Sequence, residues 1–141
     1  MHDWPAHTGG DGIISFEQAN VVHMGDLVFN LRLPALDRPG GCRITGWIAL
    51  LERIVREYPA DAIYIFGRAG PGVAVTGRKD DLRLQRDFLS ALLDHVRAEI
   101  AAGKSRDEIV KAAVELKSFP EHGPLTDRVL TAAYEELTPG A

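Results

Sequence analysis

The chain of 141 residues holds a single cysteine, Cys42, so no disulfide can form within it. It has no apolar run near the ~20 residues of a membrane span, so no partner in a membrane is expected. It has no basic cluster. Arg78-Lys79 is followed at once by Asp80-Asp81, and the net charge is −4. A nucleic-acid partner therefore lacks its electrostatic footprint. The N-terminal Met1-His2-Asp3-Trp4-Pro5 has neither the basic start nor the apolar stretch of an export signal. A cytoplasmic protein is the default expectation, with loss of such a signal left open. Cys42 follows Gly40-Gly41, and only Arg43 beside it would lower a thiol pKa.

What is present is ordinary globular composition, 45% hydrophobic and 26% charged. The length predicts a single domain, residues 1–141, able to bury roughly 68% of its extended surface. Ile13–Phe16 and Asn20–Met24 read as short strands joined by a turn at 17–19. Leu27–Phe29 continues the extended chain. Residues 33–43, with Pro34, Pro39 and the glycine pair, read as loop. Residues 45–58 form a helix, with Ile44, Trp47, Ile48, Leu51, Ile54, Val55 and Tyr58 on one face and Pro59 as its stop. Ala62–Phe66 is a continuous apolar run, which predicts a strand buried on both faces.

A glycine-rich loop follows at 67–72. The tail, about 79–137, reads as helical. A long helix spans about 79–102 and closes at Gly103. A second, about 106–117, opens with the Ser105/Glu108 capping box, and a third lies near 126–137. The order gives a mixed α/β fold with three to four strands, about four helices and an uncovered edge or face.

Two stretches raise chemistry. His7 stands in Pro-Ala-His-Thr-Gly-Gly-Asp-Gly and Asp26 in Met-Gly-Asp-Leu, both among small residues that permit close approach. His and Asp are ligand types that zinc and iron use. Read alone, a loop His is more often a solvated surface residue and an Asp after Gly more often a turn former or helix cap. His23 reads as a packed or edge residue of a strand. His95 and His122 read as surface residues.

The strings His7-Thr8-Gly9-Gly10-Asp11, Met24-Gly25-Asp26-Leu27-Val28-Phe29-Asn30 and Phe66-Gly67-Arg68-Ala69-Gly70-Pro71-Gly72 resemble the later motifs of metallo-β-lactamase-fold hydrolases, HTxGD, GDxxFN and GHxGP. Residues 87–110 resemble the helical tail of the same superfamily. The resemblance implies the C-terminal half of an αβ/βα sandwich. By that resemblance His7 is a metal ligand, Asp26 a carboxylate bridging two metal ions, and Asp11 a neighbour that supports the His7 motif.

The sequence departs from the pattern twice. No HxHxDH motif, the source of most metal ligands, occurs in it, and His2 and Asp3 do not replace it. Arg68 stands where the GHxGP motif has its metal-binding histidine, and a guanidinium has no lone pair to give. Zinc needs three or four protein donors, whereas the resemblance supplies two. Arg68 is then either drift after loss of a metal site or the partner of Asp26 or Asp11 in a salt bridge.

Three functions compete. The chain is half of a zinc-dependent hydrolase completed by an N-terminal half. Or it is a non-catalytic descendant that self-associates, as a homodimer, over its open face. Or it is a binding module in which Arg68 holds a carboxylate or phosphate.

Overall fold

A computed structural model describes residues 6–8 and 11–139. Strands β1 (Ile14–Phe16), β2 (Val21–His23), β4 (Ile63–Ile65) and β6 (Thr76–Gly77) form one sheet in the order β1-β2-β4-β6. β1 and β2 are the expected antiparallel hairpin, and Asn20 closes its turn at φ 55°. β2 and β4 run parallel, so the chain must cross over between them, and helix α1 (Ile44–Glu57) makes that crossing. β3 (Phe29–Asn30) and β5 (Arg68–Ala69) pair in parallel as a separate ribbon. Helices α2 (Lys79–Ala101), α3 (Arg106–Val110) and α4 (Asp127–Leu137) follow. The mixed α/β fold with a small sheet and four helices is as expected. No helix among the described residues is long and apolar enough to cross a membrane.

Alternation along the strands decides the core. Val22 and Tyr64 point one way and are buried against the helices, among them Trp47 and Leu51 of α1 and Leu89 and Leu92 of α2. The other face carries two cross-strand rows, Phe16–Val21–Ile63 and Ile14–His23–Ile65–Thr76. No helix covers it. Ile14 is 49% exposed, Phe16 51% and Ile63 41%. This corrects the reading of Ala62–Phe66 as buried on both faces. An apolar run suits a doubly covered strand, but here Ile63 is left exposed among the described residues.

Helix ends explain most boundaries. Gly103 takes the left-handed φ of +79° after α2, as its position predicts. Ser105 and Glu108 form the capping box of α3, by Glu108 N–H to Ser105 Oγ (3.2 Å) and Ser105 N–H to Glu108 Oε2 (2.8 Å). α3 nevertheless stops at Val110, not near 117. Beyond it Ala112, Val114 and Leu116 are half-buried and alternate with exposed neighbours, a strand period. The Leu125 N–H donates to the Val114 carbonyl at 2.7 Å, and Glu115 pairs with Pro124. Pairing with a distant segment overrides local helix propensity there.

α1 has no capping side chain of its own. Glu136, from α4, accepts the N–H groups of Ile44 (2.6 Å) and Thr45 (2.7 Å) and a bond from Arg38 Nη1 (2.8 Å). A carboxylate at a helix N-terminus satisfies orphan donors and meets the positive end of the dipole.

His122 corrects another expectation, since it is buried, not on the surface. It sits in a 3-10 turn, Pro120–His122, and its ring stacks on Phe88 at 4.2 Å and 7°. Its Nδ1 has no hydrogen-bond partner among the described residues. Burial lowers its pKa, so the ring is neutral at pH 7. The unfolded chain takes up the proton near the ordinary value of 6.5, while the folded chain does so only at lower pH. Stability is therefore expected to fall as pH drops below 6.5, towards the depressed folded pKa. His122→Phe keeps the stack and removes that dependence. Urea unfolding of both proteins between pH 7.5 and 5 checks it, and an unchanged slope in the variant would refute it.

Candidate functional site

The His7 loop is built by Asp11. Its buried carboxylate accepts the N–H groups of Ala6 (3.2 Å) and Thr8 (2.7 Å) at Oδ2, and the Thr8 hydroxyl (3.1 Å) at Oδ1. An Asp that spends its acceptors on local N–H groups holds a turn closed. His7 Nδ1 lies 3.9 Å from Asp11 Oδ1. The His7 side chain is only 14% exposed. It packs against Phe29 (5.4 Å between centroids) and, edge on, Trp47 (5.3 Å). Trp47 Nε1 donates to the Leu27 carbonyl at 2.7 Å, so one buried indole ties His7 to the segment that carries Asp26. Gly9 and Gly10, like His2 and Asp3, lie outside the described residues.

Asp26 stands in a 3-10 turn, Gly25–Leu27, entered through Gly25 at φ +56°. The Gly25 N–H donates to His23 Nδ1 at 3.1 Å, so exposed His23 helps to form the turn. The second loop closes directly on the first. The Gly67 N–H donates to the Gly25 carbonyl at 2.6 Å. A Cβ on Gly67 would stand 2.2 Å from Asp26 Oδ1 and 2.7 Å from the Gly25 oxygen. Only a glycine lets these backbones approach so closely. The β3–β5 pairing and the Gly70 N–H to Asn30 carbonyl bond (2.8 Å) fix the rest of the loop.

Arg68 is thereby placed beside Asp26, with Nε 3.8 Å from Oδ1. Both side chains are about half exposed, so the pair is a weak surface ion pair. Asp11 is not its partner. Among the described residues no hydrogen bond or ion pair joins His7 to Asp26 or Arg68. Nor do any three His, Cys, Asp or Glu side chains among them converge as a metal site would require. The donor set does not fit a zinc ion. Among the described residues two donors fall short, and the Asp26 carboxylate has the Arg68 guanidinium beside it. His95, half-buried on α2, does not add one.

Cys42 is inert. Burial, then the nearby Glu136 carboxylate, push its thiol up to about 12, far from the range of a nucleophile.

No protein-family model matches the chain, and no curated protein matches it. Solved structures do. The stereoselective inverting sec-alkylsulfatase Pisa1 from Pseudomonas sp. aligns with a TM-score of 0.71 at 15% identity. A double mutant of the sec-alkyl sulfatase PisA1 aligns with a TM-score of 0.70, also at 15% identity. Each alignment covers 100% of this chain but 24% of the other, so the chain spans about a quarter of these enzymes' length. At that identity the likeness speaks for the fold alone. The chain has a mixed α/β architecture similar to that of a metallo-β-lactamase-fold enzyme.

Proposed function

We propose that the chain is the C-terminal half of a metallo-β-lactamase-like hydrolase unit and that, alone, it neither holds zinc tightly nor hydrolyses. The Asp26–Arg68 pair carries this reading. Arg68 stands at the position where the resemblance expects a metal-binding histidine. Its guanidinium neutralises Asp26, offers no lone pair, and repels any cation brought to that carboxylate. His7 and Asp26 remain as vestigial donors, and Asp11 keeps the His7 loop closed. The chain's partner is a second copy or a complementing N-terminal half, seated on the apolar face of Ile14, Phe16 and Ile63. Exposed apolar surface of that kind favours association.

The test uses wild type and Arg68→His, each measured for zinc by mass spectrometry and for mass by light scattering. Wild type is expected to purify with far less than one zinc per chain and as a dimer. Arg68→His, which adds a third donor next to Asp26, is expected to raise zinc content, and adding His7→Ala to abolish the gain. About one zinc per wild-type chain, lost in His7→Ala, would overturn the metal reading. A monodisperse monomer at high concentration would overturn the self-association.

A further inference from the structure

The twelve arginines divide unevenly. Nine hold a carboxylate or a backbone carbonyl, as Arg38 holds Glu136 and Arg78 the carbonyls of Asp61 and Ala62. Arg32, Arg56 and Arg128 have no such partner among the described residues. Two of these three, Arg32 and Arg128, line the same cavity.

That cavity, of about 250 Å³, lies between the segment after β3 and the first turn of α4. Its floor is apolar, with Phe29, Leu33, Leu36 and Val129. Thr126 caps α4 by accepting the Val129 N–H at 3.3 Å, so the positive end of an eleven-residue helix also faces this space. The one carboxylate on the wall among the described residues, Asp37, accepts the Gly40 N–H at 3.1 Å. Arg32 continues into an adjoining groove of about 690 Å³ whose walls include Gly70 and the buried His122. The residue before Arg32, Leu31, holds a φ of +51°, which a bulky side chain rarely adopts. Such strain persists where the surroundings enforce it, and the Leu31 carbonyl lies so close to Gly70 that a Cβ there would meet it at 2.7 Å.

We propose that this cavity binds a small amphiphilic carboxylate. Its apolar body lies against Phe29, Leu33 and Val129, and its carboxylate is held between Arg32 and Arg128. Two guanidiniums facing one carboxylate leave a net positive wall of one charge, which suits a monoanion better than a phosphate dianion. The site is separate from Arg68 and does not depend on how the Asp26 pair is read.

The test is an amide NMR titration of the whole chain with benzoate, benzyl alcohol and inorganic phosphate. Benzoate is expected to give saturable shifts centred on Leu33, Leu36, Arg128 and Val129. Arg32→Gln and Arg128→Gln, both exposed and without partners among the described residues, are each expected to weaken binding about tenfold, the effect of losing one charge-assisted contact. Arg56→Gln, on α1 and away from the cavity, is expected to leave it unchanged. Benzyl alcohol, with the same ring and no charge, is expected to bind at least about tenfold more weakly. Absent or non-saturable benzoate shifts would overturn the proposal. So would equal affinity for the alcohol, tighter binding of phosphate, or undiminished affinity in both arginine variants.

Discussion

Trp47→Ala is expected to lower stability by about 4 kcal/mol. Trp47 is fully buried, and its removal leaves the largest void a single truncation can make in this core. Three attachments go with the indole. The Leu27 carbonyl loses its donor at 2.7 Å, Phe29 loses a tilted ring neighbour at 6.1 Å, and His7 loses its edge contact. Trp47→Phe separates these effects. It keeps most of the apolar area but strands the Leu27 carbonyl, for an expected loss of about 1–2 kcal/mol. Urea unfolding gives both numbers, and the His7 ring signals in NMR report whether its loop stays ordered. A loss below about 1 kcal/mol for Trp47→Ala, well under the usual range for an aromatic truncation, would mean that the site is not organised through this residue.

Glu136→Ala is expected to cost about 3 kcal/mol, more than the truncation of an ordinary helix-surface glutamate. Three bonds to one carboxylate disappear together, two of them at the N-terminus of α1 and one from Arg38. Each is charge-assisted, and those from Ile44 and Arg38 are partly shielded, with Glu136 8% and Arg38 19% exposed. Glu136→Gln keeps an acceptor for one N–H and is expected to recover about half the loss. The measurement is again urea unfolding, with helicity followed in parallel. Equal stability of wild type and Glu136→Ala would show that water caps α1 as well as Glu136 does.

These two residues mark the limit of what the sequence reveals. Trp47 was legible as a core residue, because its spacing from Ile44 and Leu51 follows the helical period. Glu136 was not. It reads as one charge of a glutamate pair on the last helix, and its partner lies 92 residues away in Ile44. The hairpin, α1, α2 and the Gly103 stop were legible because their signals are local. The end of α3 was not, since Val114 is extended by its bond to Leu125. His122 was misplaced for a related reason. Glycine and proline beside it signal a loop, and loops are usually exposed, but Phe88 on α2 draws this ring inward. The candidate site was read from the sequence as a set of motifs. The closure of the Gly67 loop on Asp26, which joins two of them, is a matter of backbone contact, and the shared cavity of Arg32 and Arg128 joins segments far apart in the chain.

The contact at Gly67 bears on how this site can change over evolutionary time. The frame is backbone, one N–H on one carbonyl with no room for a side chain between them. The side chain that gives the loop its charge comes one residue later, at Arg68, and is half exposed. Position 67 therefore admits almost no substitution, while position 68 admits many without moving its neighbours. A histidine, an arginine or a neutral residue can be exchanged there as an interchangeable head on a fixed neck. A loop of this kind can lose one chemistry and test another while the fold around it pays little in stability.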